Sequence, residues 1–85
     1  MIKIEKYSAP WCSPCKALNP IWIELKNSNP NVEFVSIDVD ENTEAVALNK
    51  VKSVPTLIYF KDGIEVFRST GLVSKDSIIK KLNEL

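Results

Sequence analysis

Apolar and charged residues alternate at the start of this chain and then change rhythm. Ile2-Lys3-Ile4-Glu5-Lys6-Tyr7 has the two-residue period of a strand. From Ser13 the period lengthens: Cys15, Leu18, Ile21, Trp22 and Leu25 recur at steps of three and four, which predicts a helix with one apolar face. Pro20 falls inside it and predicts a kink, because proline has no N–H to give to the preceding turn. Asn27-Ser28-Asn29-Pro30-Asn31 ends that helix. Val32 to Val39 reads as a second strand. Asp40-Glu41-Asn42 opens a short helix to about Asn49, with Ala45, Val46 and Leu48 as its apolar contribution and acids placed to suit its dipole. Thr56 to Phe60 is nearly continuous in apolar character, as in a strand covered on both faces. Lys61-Asp62-Gly63 predicts a tight hairpin, Ile64 to Arg68 the returning strand, and Gly71 its break. Ser74 is a good N-cap for a last helix whose inner face is Ile78, Ile79, Leu82 and Leu85, with Asp76 and Lys80-Lys81 matching its dipole.

The predicted order is β-α-β-α-β-β-α, an α/β fold. A first crossover gives a parallel strand pair and the Asp-Gly hairpin an antiparallel one. A four-stranded mixed sheet flanked by three helices, on both faces, is the architecture this implies. At 85 residues, with no repeat or linker, residues 1–85 read as one domain. Eleven basic and eleven acidic residues balance, so nothing favours a nucleic-acid partner. No apolar run approaches a membrane span, and the charged start is unlike a signal peptide, so the cytoplasm is the expected compartment.

Cys12-Ser13-Pro14-Cys15 changes the picture most. These are the only cysteines, and they stand where the strand-like run gives way to the helix-like one. Their spacing admits three readings: metal ligands, a structural staple or a redox centre. A closed zinc site wants four Cys or His ligands, and the chain has no histidine. A loop of two intervening residues constrains the unfolded chain little, and cytoplasmic disulfides are mostly catalytic. Reversible dithiol/disulfide exchange is the reading left standing, with no metal and no cofactor. Asp38, Asp40, Glu41 and Glu44 read as a solvated strand end and helix start rather than a cation site.

Trp11-Cys12-Ser13-Pro14-Cys15-Lys16 resembles the active-site segment of the thioredoxin superfamily, with Ser13 where most members carry glycine. The resemblance extends to Pro20 in the following helix, to Val54-Pro55-Thr56, to Lys61-Asp62-Gly63 and to Gly71, and so covers essentially the whole chain. It implies a minimal thioredoxin fold that begins at the strand leading into the cysteines. It further implies a protein disulfide reductase in which Cys12 attacks and Cys15 resolves. Trp11, Pro14, Val54, a cis Pro55, Thr70 and Gly71 would then border the substrate groove.

The implied partners are disulfide-containing proteins and an external electron donor resembling thioredoxin reductase, with a monomer as the working unit. A glutathione-dependent glutaredoxin is the alternative, and a redox-independent binding module a second one. One position departs from the family: Lys6 stands where thioredoxins carry a buried aspartate, and Ser36 where they carry its lysine partner. Lys6 either lays its stem on the sheet with its ammonium in water, or stabilises a thiolate by its charge.

Overall fold

The computed structural model describes every residue, Met1–Leu85. Its elements are β1 (Ile2–Ser8), α1 (Ser13–Ser28), β2 (Val32–Asp38), α2 (Thr43–Leu48), β3 (Thr56–Lys61), β4 (Ile64–Thr70) and α3 (Lys75–Glu84). The strands form one four-stranded sheet in the order β2-β1-β3-β4. β1 runs parallel to β2 and antiparallel to β3, and β3 runs antiparallel to β4. This is the mixed α/β architecture that the hydrophobic pattern predicts.

Alternation along the strands sorts the side chains into two apolar layers. On one face Ile4, Leu57 and Tyr59 meet Leu18, Trp22 and Leu25 of α1 and Ile78 of α3, all buried. Trp22 stands edge-on to Phe34 of β2, with ring centroids 5.0 Å apart. On the other face Tyr7 and Ile58 pack with Val51, and Ala45 and Val46 of α2 lean against them. Each fully buried leucine or isoleucine contributes about 1.5–3 kcal/mol by leaving water.

α1 runs unbroken through Pro20, which offers no N–H to the carbonyl of Lys16. Two details of α2 differ from expectation. It starts at Thr43 rather than at Asp40, because the Asp38 side chain accepts the backbone N–H of Asp40 at 2.8 Å and holds a turn there. Leu48 does not join the core: it lies 80% exposed. α2 therefore buries no residue of its own, and part of its anchorage is polar. Arg68 of β4 donates to the carbonyl oxygens of Asn49 and Lys50, at 3.0 and 3.4 Å, just past the helix. Those carbonyls carry the negative end of the helix dipole.

At the hairpin, Asp62 and Gly63 both take positive φ, 53° and 85°, as a two-residue turn between twisted strands requires. β4 continues to Thr70, two residues past the predicted end, through its register with Thr56. Ser74 caps α3 by accepting the N–H of Ser77 at 3.1 Å. No helix is long and apolar enough to cross a membrane.

Candidate active site

The last residue of β1, Ser8, pairs with Asp38 of β2, and the Ser8 carbonyl also accepts the N–H of Val39 at 3.0 Å. The chain then leaves the sheet through Ala9-Pro10-Trp11 and enters α1 at Ser13. Cys12 is the N-cap of that helix, with extended backbone, and its sulfur accepts the N–H of Cys15 at 3.2 Å. An N-cap sulfur faces the unpaired N–H groups and positive dipole end of the first turn, where negative charge is favoured. Pro14 occupies the first turn of α1, where a missing N–H leaves no bond unmade.

Cys12 and Cys15 are joined as a disulfide, with Cα atoms 5.2 Å apart. Both are buried, Cys12 at 5% and Cys15 at 2% exposure, in a small apolar cluster with Ala9 that Val39 and Val54 adjoin. No group of three metal-ligating side chains gathers anywhere in the fold.

Trp11 is 66% exposed. Its indole N–H donates to Asp40 at 2.9 Å, which fixes the ring beside an apolar groove of about 190 Å³ that Val39, Val46, Val51 and Val54 also line. The Val54–Pro55 peptide bond is cis. The Pro55 carbonyl accepts the N–H of Gly71 at 2.8 Å, so the loop before β3 is tied to the end of β4. Gly71 has φ of +84°, in the left-handed region that favours glycine. Trp11 and Val54 thus share one groove, Val54 also adjoins the cysteine cluster, and Gly71 is tied to the buried Pro55. Thr70 precedes Gly71 and is paired in register with Thr56.

Lys6 is placed differently from the expectation that its ammonium reaches water. The residue is 5% exposed. Its Nζ donates to Asn19 Oδ1 at 2.9 Å and lies 5.1 Å from the Trp22 ring centroid. The α1 side of the sheet closes over it, since Lys6 shares a face with Ile4 while Asn19 and Trp22 project from α1. Burial favours the neutral amine, so the Lys6 pKa is pushed below its usual value.

Asn19, which the sequence did not single out, and Asp38, read there only as part of a solvated acidic group, adjoin the site. Asp38, Lys16 and Asn19 line a cleft of about 360 Å³ together with Cys15. The helical step from Cys15 to Asn19 is a visible signal, because residues four apart are neighbours on a helix. The proximity of Asp38 depends on strand register and carries no local signal. A separate cleft of about 320 Å³ between β4 and α3, floored by Tyr59 and Phe67, contains neither cysteine.

Comparison with known proteins gives a consistent account. The thioredoxin family model matches residues 2–84. The thioredoxin of Chlamydia trachomatis is 44% identical over 78 residues, which cover 92% of this chain and 76% of that protein. Bacillus subtilis thioredoxin is 37% identical over 84 residues, covering 98% of this chain and 81% of its own. Among solved structures, oxidised mitochondrial thioredoxin 3 from Saccharomyces cerevisiae superposes with a TM-score of 0.90 at 30% identity, over 99% of this chain and 78% of its own. The thioredoxin NaTrxh of Nicotiana alata gives 0.92 at 34% identity, over 98% and 71%. These relatives favour the thioredoxin reading over a glutaredoxin or a redox-independent module. A disulfide closed at the strand-to-helix junction, in a fold matched from its first strand to its last helix, places this chain in the thioredoxin family as a thiol–disulfide oxidoreductase.

Proposed function

We propose that the chain, acting as a single monomeric domain in the cytoplasm, reduces disulfides of other proteins, with Cys12 as the attacking thiol and Cys15 as the resolving one. The observation that carries this assignment is the position of Cys12 at the N-cap of α1, where its sulfur accepts a backbone N–H. Unpaired N–H groups at a helix N-terminus favour a thiolate, the reactive form in disulfide exchange. Cys12 thiolate attacks a substrate disulfide, forms the mixed disulfide and expels one substrate thiolate. Cys15 then attacks Cys12, closes the intramolecular disulfide and releases the second substrate thiol.

The substrate groove in this proposal comprises Trp11, Pro14, Val54, Pro55, Thr70 and Gly71. An extended segment lying against the backbone at Val54 would add to the protein by strand-like hydrogen bonding, with the valine-lined groove beside Trp11 taking an apolar side chain. Lys6 acts as a buried positive charge behind the resolving half of the site, on the α1 face it shares with Asn19. An enzyme of the thioredoxin reductase type is the proposed electron donor.

Trapping tests the assignment. Cys15→Ser should accumulate covalent complexes with protein disulfides, and Cys12→Ser should form none. Equal trapping by both variants would overturn the division of roles. Turnover by glutathione, with none by a thioredoxin reductase, would reverse the choice of donor.

A further inference from the structure

A resolving thiol must lose its proton before it attacks, and the residue at the usual place for a buried acid is here Lys6. The only carboxylate lining the cleft beside Cys15 is Asp38. We propose that Asp38 is the proton acceptor for Cys15, acting across this cleft from the neighbouring strand. The proposal rests on the assignment of Cys15 as the resolving thiol.

The strand register explains how Asp38 reaches this place. Lys6 pairs with Ser36 and Ser8 with Asp38, so Asp38 shares a face with Phe34, which packs against Trp22 of α1. It is also the last residue of β2, level with the point where β1 ends and the cysteine loop begins. Its carboxylate therefore stands on the α1 side, at the mouth of the sheet. One of its oxygens accepts the N–H of Asp40 at 2.8 Å, which orients the group. The cleft, about 360 Å³, carries the polar side chains of Ser8, Lys16, Asn19 and Asp38 and is wide enough for water to bridge thiol and carboxylate.

The other charges around the cleft suit this role. Lys16 of α1 shares the lining and offers no carboxylate. Lys6 of β1 lies behind Asn19, and a positive charge on that side favours the Cys15 thiolate. Asp40 is occupied by the Trp11 indole. Across the sheet from Lys6, β3 presents the neutral Leu57.

The step balances as follows. The Cys15 proton passes through water to the Asp38 carboxylate, and the Cys15 sulfur pair attacks the Cys12 sulfur of the mixed disulfide. The Cys12–Cys15 bond forms, the Cys12–substrate bond breaks, and the departing sulfur takes its electron pair and later a proton from solvent. Asp38 returns its proton to solvent.

The test uses the reduced protein and an aromatic disulfide, 5,5′-dithiobis(2-nitrobenzoate), whose two thiolates are released in sequence. The first release reports attack by Cys12 and the second reports resolution by Cys15. Asp38→Asn keeps an oxygen for the Asp40 N–H but cannot take a proton. It should slow the second release by ~100-fold or more relative to the first, and should remove the acidic limb of its pH profile. Asp38→Glu should restore much of both. An unchanged second release in Asp38→Asn would overturn the proposal. Equal slowing of both releases, with the pH profile intact, would also overturn it by showing a structural role. Persistence of the second release in Cys15→Ser would overturn the resolving assignment itself, independently of Asp38.

Discussion

Trp11 lies 66% exposed, yet its indole N–H is held by the carboxylate of Asp40 at 2.9 Å, twenty-nine residues along the chain. The tether holds the ring in the lining of the valine-rich groove, so that in the proposed function a substrate need not order it. Trp11→Phe keeps the aromatic face and removes the bond. It should raise KM for a protein disulfide about threefold, near the ~0.5–1.5 kcal/mol of one net hydrogen bond. The rate with a small disulfide should stay the same. A protein-substrate KM equal to that of the parent would show that the tether positions nothing.

Both tyrosines of the chain are buried, Tyr7 at 0% and Tyr59 at 2% exposure. Burial pushes each phenol from 10.0 to about 12, and for Tyr7 the hydrogen bond to Glu5 adds to the effect. The folded state thus holds phenol protons that the unfolded chain releases, so the stability they contribute is complete below pH 10 and lost as pH rises through about 12. Ultraviolet titration should find no phenolate forming near pH 10 in the folded protein. A normal tyrosine transition there would refute this.

For Lys6 the sign is the reverse. Burial lowers its folded pKa below 10.5, so over that window the unfolded chain binds more protons than the native one. Stability therefore rises with pH from the folded pKa upward, and the penalty is complete below it. Lys6→Met, which fills similar space without charge, should be as stable as the parent at neutral pH or more stable by about 1 kcal/mol. Urea midpoints measured in steps up to the tyrosine window should lose their rise in this variant. Retention of the rise would mean that another group causes it.

Gly71 offers a test of backbone against packing. A Cβ built there meets nothing within 4 Å, while φ is +84°. Gly71→Ala should therefore destabilise by ~1–2 kcal/mol through left-handed strain alone. Gly71→Asn should lose less, since asparagine tolerates that region. Equal losses in urea unfolding would point to something other than φ.

The order of elements was legible because each apolar period matches its own structure. Cys15, Leu18, Trp22 and Leu25 fall on one buried stripe of α1, and Thr56 to Tyr59 are buried in succession in β3. For Lys6 the reading with its ammonium in water fails because an alternating strand does not reveal what covers it: only the docking of Asn19 and Trp22 from α1 takes its ammonium out of water. Leu48 was misread because α2 is too short to present a second turn to the core. Asp38 looked like part of a solvated acidic cluster. Its neighbourhood with Cys15 appears only when β1 and β2 are set in register.

The attachment of α2 by Arg68 has a mechanical corollary. The two flanks of the disulfide are secured by different forces. Leu18, Trp22 and Leu25 fasten α1 to the sheet by excluding water, which salt does not weaken. On the opposite flank the segment leading to Val54 follows a helix fastened in part by charge-assisted hydrogen bonds from Arg68 to two carbonyls, which dissolved ions screen. Rising ionic strength should loosen the Val54 side of the proposed groove while the cysteine-bearing side stays firm.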